Sequence, residues 1–355
     1  MAYTTINDPE KYFKPVVYTG NLLQHPVEGL NHQSDWLWIK NMDTTNSHNV
    51  LDSIRGTDKT LEGPNNNNEE GDTTTRLDSF DSDGFTVETD PSVNGNNNEI
   101  VAWSWNCNNG TNESAVAESG DNPGNTRQTN TTAGFSIIKY TGTGANGTIA
   151  HGLGAVPTWM VIKNLSDNSG SRDWVSYHEP LGNAKALFFN ESDPEYSLTD
   201  LFNSTTPTSS VFTVSTNNRV NKDGSTYIAY IFTPIQGYSK FGEYEGNNSA
   251  AGPFIYTGFK PAWIMTKRSD ASSTSWFILD NKRSETNPRN DLLFTHSSNA
   301  QTADSSSGEV DFLSNGFRIR GTNSNFNSSG GRVMYMAFSE APYVNSNGVP
   351  ANAAF

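Results

Sequence analysis

The sequence predicts an all-β chain of three tandem β-sandwich-like modules, with antiparallel strands and little helix. Three observations lead there. One signature of four landmarks recurs three times in the same order. Apolar runs are short, rich in Val, Ile, Trp, Tyr and Phe, and separated by Asn, Ser, Thr, Asp and Gly, as strands joined by turns are. No long stretch carries the i, i+3, i+4, i+7 apolar period of an amphipathic helix.

The signature opens with a Tyr-x-Gly turn, at Tyr18-Thr19-Gly20, Tyr140-Thr141-Gly142 and Tyr244-Glu245-Gly246. Next comes a strand that begins with Trp and ends with Lys, from Trp36 to Lys40, Trp159 to Lys163 and Trp263 to Lys267, with Thr266 replacing one apolar residue in the third. Both faces of Trp36-Leu37-Trp38-Ile39 are apolar, as in a central strand held between two layers. A Phe-x-(Val/Ile) segment follows at Phe85, Phe212 and Phe317, and Phe85-Thr86-Val87-Glu88 alternates like a strand with one wet face. Each unit closes on an apolar-Ala-aromatic strand centred on Ala102, Ala229 and Ala337. In the same columns fall Trp103/Trp105, Tyr230/Phe232 and Phe338/Glu340. The Trp columns could be sugar-stacking platforms, but their place inside apolar strands points to a common core.

These landmarks divide the chain into module 1 (residues 1–106), a linker or surface loop rich in Asn, Ser, Thr and Gly (107–132), module 2 (133–236), and module 3 with a C-terminal tail (237–355). Pro234-Ile235-Gln236-Gly237 joins modules 2 and 3 almost directly, so these two are expected to pack as a pair, with module 1 more loosely joined. Gly63 to Thr75, with four consecutive Asn and an acidic cluster, reads as a solvent-facing, mobile loop tip.

Composition narrows function. The 355 residues carry 23 basic and 38 acidic side chains, a net charge of −15, without a basic stripe, so nucleic acid is not an expected partner. Apolar residues make up only 34%, yet aromatics reach 11%, enough for small, economical cores rather than disorder. No apolar run is long enough for a transmembrane helix, and the start Met1-Ala2-Tyr3-Thr4-Thr5-Ile6 lacks the basic flank and apolar stretch of a Sec signal. The single cysteine, Cys107, cannot form an intrachain disulfide or a thiolate metal cluster.

Motifs for chemistry are weak. Gly142-Thr143-Gly144-Ala145-Asn146-Gly147 matches the dinucleotide glycine pattern, but Thr148 to Gly154 is too glycine-rich to be the required helix, so a turn is expected. Asp81-Ser82-Asp83-Gly84 resembles the start of a calcium loop without the rest of it, and reads as a turn feeding Phe85. Whether loops from several modules share a calcium ion stays open. His25, His32, His48, His151, His178 and His296 show no zinc spacing. No nucleophile elbow, Walker A loop or kinase motif occurs. No catalytic, cofactor or metal residue is therefore assigned.

Several stretches resemble a repeat family abundant in marine tailed bacteriophages: GYSKFGEYEG (Gly237 to Gly246), GPFIYTGFKPAWIMTKR (Gly252 to Arg268), DFLSNGFRIR (Asp311 to Arg320) and VMYMAFSEAPY (Val333 to Tyr343). MAYTTINDPEKYF, DWLWIKN, HNVLDSIRG and SFDSDGFTV in module 1 are similar to it as well, as are AGFSIIKYTGTG and HGLGAVPTWMVIKN in module 2. The resemblance runs end to end and implies a tail-fibre or virion structural protein, with no catalytic residues to carry over. No tail-anchoring or coiled-coil segment accompanies the repeats, which leaves the position on the particle open.

The expectation is thus a non-enzymatic virion component on the particle exterior, assembled in the host cytoplasm. Foremost is a fibre or spike that recognises the host surface through loops at module ends. Its partners would be other virion proteins, a host cell-surface glycan or protein, and copies of itself, a trimer being favoured. The alternatives are a capsid or neck decoration protein and a glycan-degrading tailspike hydrolase, whose paired carboxylates sequence cannot locate.

Overall fold

A computed structural model describes residues 2–63, 70–71, 74–167, 172–303 and 309–350. Most of the Gly63 to Thr75 loop and residues 351–355 of the tail lie outside the described residues. The chain is all-β, in three sandwich-like modules. Each pairs a large antiparallel sheet with a small one.

In module 1 the large sheet runs Phe13–Thr19, Glu99–Trp105, Trp36–Asn41, His48–Asp52, Lys59–Gly63, Glu70–Gly71, and the small sheet runs His25–Glu28, Gly84–Val87, Leu77–Asp81. Module 3 repeats this with Ser239–Glu245, Arg332–Pro342, Phe259–Arg268, Trp276–Asp280, Asp291–Phe294 and Thr302–Ala303 over Phe254–Tyr256, Gly316–Ile319 and Val310–Leu313. Module 2 places Phe135–Thr141, Thr226–Phe232, Trp159–Asn164, Trp174–His178, Lys185–Phe188 and Tyr196–Ser197 over the two-stranded pair Gly147–Ala150 and Val211–Val214.

The Trp strands are buried on both faces. Trp36, Trp38 and Lys40 point one way and Leu37 and Ile39 the other, because successive strand residues alternate. Leu37 and Ile39 pack under the small sheet with Val27, Phe85, Val87 and Ala102, the private core of module 1. Modules 2 and 3 have equivalent private cores around Phe212 and Phe317. The opposite faces all meet in one shared core, to which Trp36, Trp105, Trp159, Phe232, Trp263 and Phe338 contribute. The ring centroid of Phe338 lies 5.6 Å from those of both Trp105 and Phe232, and Trp36 stacks on Tyr230 at 4.6 Å. All eight tryptophans are at most 2% exposed, so they pack the interior and are not surface platforms.

Module 1 is therefore not loosely joined. Its inward face carries four tryptophans that only the other two modules can cover, and covering them outweighs the freedom of the polar connection. That connection also holds more structure than its composition indicates. Asn125–Asn130 is an edge strand antiparallel to Phe135–Thr141. The ladder between backbones does not require apolar side chains, and buried Gln128 accepts from Ser53 at 2.8 Å and donates to Asn112 at 3.0 Å.

Cross-strand register corrects one landmark. Trp36, Trp159 and Trp263 lie opposite Trp105, Phe232 and Phe338. Counting back along each closing strand, Ala102 and Ala229 correspond to Tyr335, not to Ala337, which falls two residues late. The aromatic columns shift with it, so Trp103 and Tyr230 correspond to Met336, and Glu340 lies beyond the column. Tyr335 fits because Gly242 lies opposite it, where the other modules have Val16 and Ile138.

The Tyr-x-Gly turns hold for a local reason. A one-turn helix follows the Phe segment in each module: Pro91–Asn94, Asn218–Asn221 and Ser324–Asn327. Asp90, Asn217 and Asn323 cap them, each accepting a backbone N–H two residues on. The last helical residue is a fully buried Asn whose side-chain oxygen accepts from the backbone just past the turn glycine, at 2.8 Å in Asn94, 2.9 Å in Asn221 and 2.7 Å in Asn327. A Cβ on Gly20, Gly142 or Gly246 would lie 2.2, 2.3 or 2.3 Å from the backbone oxygen of Gly95, Lys222 or Ser328, the residue just after the helix, so only glycine fits.

Candidate functional site

The modules are joined in one rotational sense. The residue opposite the first Trp of each central strand is Asp52, His178 or Asp280. Each reaches the closing strand of a different module. Asp52 accepts from Tyr230 Oη at 2.7 Å, His178 Nε2 lies 3.1 Å from the Tyr335 carbonyl, and Asp280 accepts from Trp103 Nε1 at 3.0 Å. Module 1 thus holds module 2, module 2 holds module 3, and module 3 holds module 1, a closed head-to-tail ring within one polypeptide. Arg55 and Arg283 neutralise the two carboxylates in ion pairs at 2.5 and 2.6 Å with both side chains fully buried. Module 2 does without the ions, since Leu181 stands where the others have Arg. Sequence reasoning missed these residues. Their signal was an Asp three residues before an Arg, at the end of the strand that follows the Trp strand in modules 1 and 3.

The titratable groups inside serve the fold. Burial pushes His32, His48 and His178 down to about 4, 3 and 4, so these imidazoles are neutral near pH 7. Lys40, Lys163 and Lys267 are fully buried and lowered by desolvation to about 8, 7 and 7. Their ammonium groups donate to backbone carbonyls of Thr44, Arg172 and Arg268 at 2.9, 2.6 and 2.8 Å. Asp35 rises to about 6 through burial while accepting from the Cys107 N–H at 2.5 Å. The Cys107 thiol is pushed well up by burial and then by Asp35, and is inert rather than nucleophilic.

Other motifs resolve into local geometry. The Asp81 carboxylate accepts from Ser79 and Thr86, both at 2.7 Å, and Asp83 accepts from the Asn31 backbone at 2.6 Å, so both carboxylates brace turns. Gly142 to Gly147 joins Phe135–Thr141 to Gly147–Ala150 without an intervening helix. Among the described residues no group of three or more His, Cys, Asp or Glu could hold a metal ion, and no helix is long and apolar enough to cross a membrane.

One surface departs from the threefold pattern. With Phe85, Phe212 and Phe317 as reference, the small-sheet strands pair them with Val27, Ile149 and Ile255. The outward positions on either side are then Pro26 and Glu28, Thr148 and Ala150, and Phe254 and Tyr256. Only module 3 has aromatics there, and they are 47% and 48% exposed. Tyr3 Oη donates to the Gly258 carbonyl at 2.9 Å and lies 3.0 Å from Tyr256 Oη. The backbone N–H of Tyr343, itself 37% exposed, donates to that same carbonyl at 3.1 Å. Lys240 Nζ donates to the Tyr256 carbonyl at 2.7 Å and sits 5.5 Å from its ring centroid. Tyr3 also borders an open cleft of about 600 Å³ whose other walls are Ala2, Gln236, Ser346, Asn347 and Gly348.

Fold and site together define a single-chain ring of three β-sandwiches with one aromatic corner. A family model described as a domain of unknown function, DUF7483, matches residues 8–342, and the chain belongs to that family. No curated protein matches the chain.

Proposed function

We propose that this chain is a non-enzymatic structural component of a tailed-bacteriophage virion, a fibre or spike element that recognises the host surface. The observation that carries the reading is the division of labour between the layers. The large sheets close on one another in the shared core, which leaves the small sheets and their module-end loops as the outward layer. Rigid scaffolds that display variable polar loops suit surface recognition. The end-to-end resemblance to phage repeats supports the same reading.

A decoration protein on the capsid or neck is the second reading. It is favoured by the ring closing within one polypeptide, so that no copy of the ring interface is left over to assemble a fibre trimer. Immunogold labelling of intact virions with an antibody to the purified chain separates the two. Label confined to the tail end supports host recognition. Label spread over the head overturns it in favour of decoration.

A further inference from the structure

The geometry points to the Phe254–Tyr256 corner of module 3, with Tyr3, Tyr343 and the adjoining cleft, as a binding site for a neutral saccharide. The fold does not need these rings, because the equivalent positions in modules 1 and 2 hold Pro26 and Glu28, Thr148 and Ala150 around the same buried core residue. Aromatics placed in water against no structural demand are the signature of a contact surface. Their setting selects the occupant. The faces of Phe and Tyr rings carry partial negative charge and attract the weakly positive C–H groups on one side of a pyranose ring. Beside them the cleft offers the Gln236 and Asn347 amides, the Ser346 hydroxyl and the Tyr3 phenol, all neutral donors and acceptors suited to sugar hydroxyls. No carboxylate or cationic side chain lines that cleft. On the sheet side Arg318 stands opposite Phe254 across the ladder, but Lys240 donates to the chain's own backbone, and a chain of charge −15 repels anionic polymers. An apolar protein partner would leave the cleft amides without their hydrogen bonds.

The inference deepens the host-recognition reading and takes from it only the source of the sugar. The test uses the full chain and neutral linear oligosaccharides of glucose, galactose, mannose and N-acetylglucosamine, with saturation-transfer NMR and calorimetry as readouts. The informative variant is Phe254→Thr with Tyr256→Ala, the residues module 2 already tolerates there, and Leu23→Ser on the exposed surface of module 1 is the control. The expected result is saturation of pyranose C–H protons, binding at least tenfold weaker in the double variant and unchanged in the control, and an unaltered melting temperature.

Binding that survives in the double variant overturns the site. Failure of the whole panel to bind, while the double variant loses attachment to host cells, overturns the saccharide but leaves host recognition standing. Sugar binding lost in the double variant, without any attachment of the chain to cells, supports the site and sinks the host-recognition reading. Self-association abolished by the double variant, with no sugar bound, makes the corner an interface between copies instead.

Discussion

Tyr335 occupies the space that a side chain on Gly242 would need: a Cβ built there lies 2.9 Å from the phenol oxygen and 3.0 Å from two ring carbons. The other modules solve the same position with Val16 opposite Ala102 and Ile138 opposite Ala229. Gly242→Val alone should therefore cost about 1–3 kcal/mol by overpacking. Combined with Tyr335→Ala it recreates the module 1 pair, and the double variant should be less destabilised than the sum of the two singles by more than about 1 kcal/mol. Denaturant midpoints measure this, and additive costs would refute the coupling.

The ring junctions are the next target. Tyr230→Phe leaves the Asp52 carboxylate short of one donor and should cost about 1–3 kcal/mol. Asp52→Ala strands the buried Arg55 and should cost about 3–5 kcal/mol. Because all three modules share one core, both variants should still unfold in one transition by fluorescence and circular dichroism. Separate transitions would show that the modules are independent.

Stability should rise with pH well past neutrality. His32, His48 and His178 titrate near 4, 3 and 4 when folded, so between there and their usual 6.5 the unfolded chain holds more protons and acid destabilises. Asp35, raised to about 6, opposes them singly below that value. Lys40, Lys163 and Lys267, lowered to about 8, 7 and 7 from 10.5, extend the rise across the alkaline window, where the unfolded chain again holds more protons. Above pH 10 the buried tyrosines, pushed upward, reverse the trend. Urea midpoints should therefore peak at about pH 9–10. A maximum at or below neutrality would contradict the assignment of three buried lysines.

The buried asparagines can be tested singly. Asn221→Ala removes the acceptor for Thr143 N–H and the donor to the Ala145 carbonyl, at 2.9 and 2.5 Å. A loss of about 1–3 kcal/mol is expected. Asn221→Asp keeps the acceptor but turns a buried carboxylate towards the Ala145 carbonyl, and at neutral pH should cost more than the alanine variant. Hydrogen exchange at Thr143 should quicken in the alanine variant, and unchanged protection there would exclude this role.

The sequence made the module count and the Trp columns legible because four landmarks recur in fixed order. It misplaced Ala337 because Met334-Tyr335-Met336-Ala337-Phe338 is apolar throughout, and a run without a polar marker does not reveal a two-residue slip. The junctions were hidden for another reason. Asp52 meets Tyr230 from 178 residues away, and Trp103 meets Asp280 from 177, and nothing local to either residue announces the other. The 125–130 strand lacked any apolar alternation. The aromatic corner was readable only after register had aligned Phe254 with Pro26 and Thr148.

Closing the ring within one polypeptide also settles its valency. Three identical subunits would have to present every surface change three times, and any ligand site would come as a set of three. Here each corner is free to diverge alone, as Leu181 has done beside Arg55 and Arg283. A feature such as the Phe254–Tyr256 corner therefore occurs once per chain, and tight attachment would have to come from the number of chains displayed together.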